Sequence, residues 1–197
     1  MLPEVEIVDY WRRRAEMQRE RTVGYANQSM GEQDTLYQQR RSFIFKFCPM
    51  DRPTLDYGCG IGRYADCFQY YTGTDITEEL LSIARKNHPQ NKFVQQKSAI
   101  PDLSGMDFSL FFTATVLQHC ADAVVSKIFS VLRDYKPYGL TIFLYENSDE
   151  RVSASHVCGR SMNFYLDLLA SSFSIKKSVQ DSHLIHGEKH GILLVDA

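Results

Sequence analysis

The chain has 197 residues, 44% of them hydrophobic and 23% charged, with 22 basic side chains set against 24 acidic ones for a formal charge of −2. Such a balance builds one core of ordinary domain size and gives no overall charge drive toward nucleic acid or an anionic membrane. Neither a bilayer-spanning run of roughly 18 to 20 apolar residues nor the apolar centre of a signal peptide is visible, so a cytoplasmic location with no membrane partner is expected.

The first fifty residues read as a helical N-terminal cap. A helix at EIVDYWRRRAEMQRERTVGY is followed by a polar break at NQSMGEQ and a second helix at DTLYQQRRSFIFKF. Five arginines lie between Tyr10 and Arg21. A solvated face with internal Glu–Arg pairing is the favoured reading of that stretch, ahead of a groove that tracks a phosphate backbone.

Residues 51–197 read as one α/β domain. TLDYG is strand one, GRYADCFQYY a helix, YTGTD strand two, and ITEELLSIARKN a helix with Thr77 at its N-cap. NKFVQQKS is strand three, DFSLFFTAT strand four, ADAVVSKIFSVLRDY a helix and GLTIFLYEN strand five. Short apolar runs joined by helices predict a parallel sheet covered on both faces. MNFYLDLLASS then forms a helix, FSIKKSVQDS a strand and HGILLVDA the last strand. The short connection SHLIHGEKH makes the final two strands antiparallel neighbours.

Strand one runs into Gly58, Gly60 and Gly62, spaced G-x-G-x-G, with Asp56 two residues ahead. A bare turn there lets backbone approach a ligand, and a helix behind it would offer free N–H groups. The dinucleotide fingerprint needs its third glycine one position later, and a carboxylate at Asp56 repels a pyrophosphate while attracting an ammonium. Asp75, closing strand two, faces the same crevice and can accept both ribose hydroxyls, with Ile76 against one face of a purine. An amine, a ribose and a purine together describe S-adenosylmethionine.

D-x-G-x-G-x-G followed by GTDITEELLSIARKN resembles the class I S-adenosylmethionine-dependent methyltransferases. The similarity continues through NKFVQQKSAIPDL, FSLFFTATVLQH and VLRDYKPYGLTIFLYE, over residues 51–147. It implies a three-layer, doubly wound sheet of seven strands, mainly parallel with an antiparallel last strand, and S-adenosylmethionine as the methyl donor. Carried over residue by residue, Asp56, Gly58, Gly60 and Gly62 cradle the methionine portion, Arg63 faces its carboxylate, Asp75 holds the ribose and Ile76 borders the adenine. Ala114 and Thr115 line the donor beside its carboxylate and sulfur. Ser98 and Ala99 stand where the family often places an acid against the adenine amino group, leaving a hydroxyl or a carbonyl to make that bond. Tyr138 replaces a glycine of the turn before strand five.

His119 in TATVLQHC is the candidate catalytic base, with a loop-shaping hydrogen bond as its other reading. Tyr145 and Glu146 are candidates for acceptor contact, and Tyr10, Trp11, Tyr25 and Tyr37 for the walls of the pocket. His183, His186 and His190 form H-x2-H-x3-H without an acidic pair, and with distant His156 they read as a solvated surface instead of a metal site. The five cysteines, scattered and without a C-x-x-C pair, read as reduced thiols. A small-molecule acceptor is expected, because the chain lacks a net positive charge, an appended recognition domain and the N-P-P-Y-type signature of base amino methylation. A methyltransferase for nucleic acid or protein and a non-catalytic S-adenosylmethionine-binding subunit are the alternatives, and O-, N- and C-methylation all stay open.

Overall fold

A computed structural model describes residues 4–16, 29–135, 139–154, 156–175, 177–185 and 187–197. Two helices come first, α1 (Glu4–Ala15) and α2 (Met30–Phe45). The main sheet is built from β1 (Pro53–Tyr57), β2 (Tyr70–Asp75), β3 (Lys92–Gln95), β4 (Leu110–Ala114) and β5 (Thr141–Asn147), with α3 (Glu78–Asn87) and α4 (Asp122–Tyr135) between strands. A two-residue pair, β6 (Ser153–Ala154) and β7 (Val157–Cys158), precedes α5 (Met162–Ser172), β8 (Lys177–Ile185) and β9 (Glu188–Asp196).

Seven strands form the sheet in the order β3-β2-β1-β4-β5-β9-β8. The first five are parallel; β9 runs antiparallel to both β5 and β8, as the short turn before it requires. The alternating pleat sends Phe111, Ile142, Leu144 and Leu193 to the face covered by α4 and α5. Leu110, Phe112, Phe143, Tyr145 and Ile192 point to the other face, where Leu36 and Ile44 of α2 join them. Leu81 and Ala84 of α3 pack with Cys59, Ala65 and Phe93 in a third cluster.

The helix expected at GRYADCFQYY is replaced by a single 3-10 turn, Ala65–Cys67, because β2 already begins at Tyr70. The remaining residues 63–69 lie across the sheet, and the rings of Tyr64 and Phe68 meet Phe112 at 5.3 and 5.1 Å. α2 supplies the cover that this helix would have given. It begins at Met30, ahead of the expected start, because Ser29 and Glu32 form a capping box: Glu32 N–H donates to Ser29 Oγ at 3.4 Å and Ser29 N–H to Glu32 Oε2 at 2.8 Å. Thr77 holds the N-cap position of α3 without a capping side-chain bond; Asp75 Oδ1 accepts from its N–H instead, at 2.8 Å. The small β6–β7 pair was not foreseen, and the expected continuation of the first helix over 17–25 lies outside the described residues.

The carboxyl ends of β1, β2, β3, β4 and β5 lie along one edge. β1 has β2 on one side and β4 on the other, so a crevice opens at this switch point, where open α/β sheets take their ligands. The antiparallel register sets His190 of β9 opposite Asn147 at the end of β5.

Phe112 is fully buried between Phe143, Phe68 and Tyr64, and its replacement leaves a cavity that the crossing rings cannot close. Phe112→Ala should lower unfolding free energy by about 3 to 5 kcal/mol in urea titration, with the m-value unchanged.

Candidate functional site

The crevice is a cavity of about 510 Å³. Of the predicted ligand contacts, Asp56, Gly58, Gly60, Arg63, Asp75, Ile76, Ala99, Ala114, Thr115 and His119 all line it, joined by Tyr10 and Trp11 of α1. Gly62, Ser98, Tyr37, Tyr145 and Glu146 do not line it, and Tyr25 lies outside the described residues. The sequence reading missed Arg40, Gln96, Gln118, Asn147, His156 and Glu188, which line it as well.

The glycines answer two steric demands. Gly58 has φ +73°, and a Cβ there would lie 2.4 Å from a Val116 methyl, so the loop after β1 and the loop after β4 can touch only because this residue is bare. Gly62 has φ +78° and faces away, with His88 3.0 Å and Phe93 3.2 Å from its Cβ position. The expected free N–H groups are absent at the start of the loop: Gly58 and Cys59 both donate to Thr74 O, at 2.7 and 2.9 Å. Gly60 N–H donates to Asp75 Oδ2 at 3.0 Å. The loop therefore meets a ligand with bare Cα atoms and neighbouring carboxylates.

Asp56 is a buried carboxyl and Asp75 a half-buried one, on the same cavity. Burial pushes Asp56 up to about 7; a hydrogen bond from Tyr71 Oη, 2.7 Å from Oδ2, works against this, and nearby Asp75 adds to it. Asp75 is likewise raised by burial, against the amide bonds from Thr77 and Gly60. Two such groups favour a ligand that brings positive charge and hydroxyl donors. Arg63 lies with its guanidinium 5.5 Å from the Tyr37 ring centre, and Tyr37 donates to the Arg63 carbonyl, so Tyr37 braces the loop from behind. Arg40, on α2, brings a second guanidinium to the cavity.

At the end of β4, Thr115 takes φ +59°, a strained value for a residue with a Cβ. The next three residues are held from below by Glu146. Its Oε1 accepts from the amides of Val116 and Leu117, both at 3.1 Å, and from Thr113 Oγ1 at 3.3 Å; its Oε2 accepts from Gln118 N–H at 3.3 Å. From the other side, buried Arg160 donates to the carbonyls of Leu117 (2.8 Å) and Cys120 (2.5 Å) and pairs with Asp122. Glu146 thus shapes the loop instead of meeting the acceptor, and Tyr145 beside it packs in the core against Phe43 and His190.

His119 is half-buried, and desolvation holds it down to about 4, so the ring is neutral near pH 7. Its Nδ1 lies 2.6 Å from His156 O, and a carbonyl can only accept; Nδ1 therefore carries the hydrogen. Nε2 keeps the lone pair and accepts from Gln118 Nε2 at 3.2 Å. His156 stacks on His119 and on Tyr10, with ring centres 5.7 and 4.4 Å apart, while Trp11 meets His119 edge-on at 5.2 Å. His190 is buried and lines the cavity, a correction to the solvated surface expected of it; the His183 side chain and His186 lie outside the described residues. Which partners His156 would find could not be read from one sequence, because its neighbours come from segments far apart in the chain.

Residues 55–143 match the family model of a methyltransferase domain. No curated protein sequence matches the chain. Among solved structures, the complex of DhpI with S-adenosylhomocysteine superposes with a TM-score of 0.73 at 14% identity, over 98% of this chain and 97% of that one. Phosphoethanolamine N-methyltransferase 1 of Haemonchus contortus, with phosphoethanolamine and S-adenosylhomocysteine, gives 0.73 at 15% identity over 100% of this chain and 50% of that one. Magnesium protoporphyrin IX methyltransferase of Synechocystis PCC 6803, with S-adenosylhomocysteine, gives 0.64 at 16% identity over 98% and 96%.

The raised carboxyls set a pH dependence. Asp56 and Glu146, both pushed up to about 7 by burial, bind more protons in the native than in the unfolded chain between their ordinary range and pH 7. Stability from this source is complete in acid and is lost as pH rises through about 7. Without ligand, the melting temperature should therefore be higher near pH 6 than near pH 8, and Asp56→Asn should reduce the difference to the part that Glu146 contributes.

Proposed function

We propose that this chain, a class I S-adenosylmethionine-dependent methyltransferase by family and fold, methylates a small molecule enclosed beneath its N-terminal helices. The observation that carries the reading is the pair of carboxyls, buried Asp56 and half-buried Asp75, flanking a loop whose Gly58 has no room for a side chain. A ligand with an ammonium, a vicinal diol and close approach to backbone fits them.

In this reading Asp56 takes the ammonium, and Arg63, with Arg40 nearby, faces the carboxylate of the same methionine portion. Asp75 accepts from the ribose, and Ile76 and Ala99 border the adenine. Ala114 and Thr115 stand beside the sulfur. When bound, S-adenosylmethionine supplies an electrophilic methyl carbon on a sulfonium. The protein holds the nucleophile in line with that carbon and keeps water out, which is where most of the rate of such a transfer arises. Ile7, Tyr10 and Trp11 close the cavity from α1, and a volume of about 510 Å³ suits the donor with a small partner.

The described part of the arginine run does not support a nucleic-acid groove. Arg12 pairs with Asp9 and with Glu79 of α3, and Arg14 is buried.

The test is direct. S-adenosylhomocysteine should raise the melting temperature while NAD does not; the opposite outcome removes the assignment. Because a ligand ammonium favours ionised Asp56, affinity for S-adenosylmethionine should rise with pH through about 7 and then level off. Asp56→Asn should weaken binding by about 10- to 100-fold, the worth of a charged hydrogen bond, and abolish that pH dependence in calorimetry.

A further inference from the structure

Strand order divides the cavity into two ends. Asp75, Ile76 and Gln96 follow β2 and β3 on one side of β1, whereas Gln118 and His119 follow β4 on the other. With the methyl donor spread over β1 and β2, the β4 side is left to the acceptor. Charge does not decide what that end takes, because Glu188 lines the cavity while the Arg14 guanidinium lies 6.0 Å from the Tyr10 ring centre and acts on His156. A row of directed hydrogen bonds says more.

The row starts at the His156 carbonyl, which can only accept, so His119 Nδ1, 2.6 Å away, carries the hydrogen of the neutral ring. His119 Nε2 then holds the lone pair, and the Gln118 atom 3.2 Å from it is the amide nitrogen and not the oxygen. The backbone at Gln118 is fixed as well, by its N–H bond to Glu146 Oε2 at 3.3 Å. Each bond in the row sets the direction of the next, and Gln118 Oε1 is the end of it.

That oxygen is buried, belongs to a side chain on the cavity wall, and has no hydrogen-bond partner within the protein. A buried carbonyl in this state is unfavourable, and turning the amide over would set its oxygen against the lone pair of His119. A ligand that brings an O–H or N–H satisfies it. One that brings a carboxylate, a carbonyl or an ether oxygen sets two acceptors against each other. Because the row holds the amide in place beforehand, little further ordering is needed when a ligand arrives.

We propose that Gln118 selects the methyl acceptor: its Oε1 accepts a hydrogen bond from an O–H or N–H of a small molecule, which disfavours at this end compounds that can only accept. This rests on the methyltransferase reading and adds to it a polar requirement on the acceptor. An amide is far too weak a base to take a proton near neutral pH, so the role of Gln118 is to recognise and orient, not to deprotonate.

The chain's single tryptophan, Trp11, lies on the cavity wall with its ring centre 5.2 Å from that of His119, so its fluorescence reads binding at this end. The full chain, saturated with S-adenosylhomocysteine, is titrated with neutral probes of similar size: phenol and aniline, which donate, benzonitrile, which only accepts, and toluene, which does neither. Gln118→Met keeps the length of the side chain and removes the amide. It should weaken phenol, aniline or both by about tenfold, leave benzonitrile and toluene bound as before or more tightly, and leave the affinity for S-adenosylhomocysteine unchanged. Loss for phenol alone assigns an O–H donor, and loss for aniline alone an N–H donor. An equal change for every probe, no change for both donors, or weaker S-adenosylhomocysteine binding in the variant overturns the proposal. If the variant does not fold, the wild-type series decides: tighter binding of a donor than of benzonitrile supports the proposal, whereas benzonitrile binding as tightly as both donors, or no measurable binding of either donor, overturns it. Failure of the wild-type chain to bind S-adenosylhomocysteine would instead remove the methyltransferase reading.

Discussion

The site depends on a loop held by two opposite charges. Residues 116–120 leave the end of β4 through a strained Thr115 and would have unsatisfied amides and carbonyls in a buried place. Glu146 accepts the amides and Arg160 donates to the carbonyls, so each charge offsets a row of backbone dipoles of the other sign. Neither charge is paired with the other directly. Val116, placed by this arrangement, fills the space that Gly58 leaves open, and His119 is carried to the His156 carbonyl. The cavity's shape follows from these contacts as much as from the sheet beneath it.

Buried charges recur around this cavity with a division of labour. Glu146 and Arg160 are saturated with backbone partners and fix geometry. Asp56 and Asp75 face the cavity, and burial raises their affinity for protons as it does that of Glu146, but only at these two can a ligand supply the missing charge. A scaffold that is complete without ligand thus surrounds a pair of groups that is not.

Much of the fold was legible in the sequence because parallel strands buried on both faces leave short apolar runs, as in DFSLFFTAT and GLTIFLYEN. The glycine spacing and the two aspartates were legible because close approach and charge act over a few residues. The absent helix after Gly62 was not, since GRYADCFQYY is apolar enough for either fate and the outcome turned on where β2 begins and on α2 covering that face. Glu146 could not be told from a contact residue by position alone. At the end of a strand beside a site, a carboxylate can meet a ligand or the next loop, and the choice lies in contacts more than twenty-five residues away in sequence. The S-x-x-E signature at Ser29 was present and readable, yet it lay inside a stretch rich enough in polar residues to pass for a break.

The substitution of α2 for a helix after β1 also bears on the order of assembly. Leu36 and Ile44 pack in the same cluster as Ile192, near the far end of the sequence, so this face of the sheet closes only when the C-terminal hairpin has joined it. Contacts of that separation are slow to form, because loop closure is paid in entropy before packing returns anything. During synthesis, the apolar side of α2 would meet Phe68, Phe112 and Phe143 first and be fully matched only when β9 arrived.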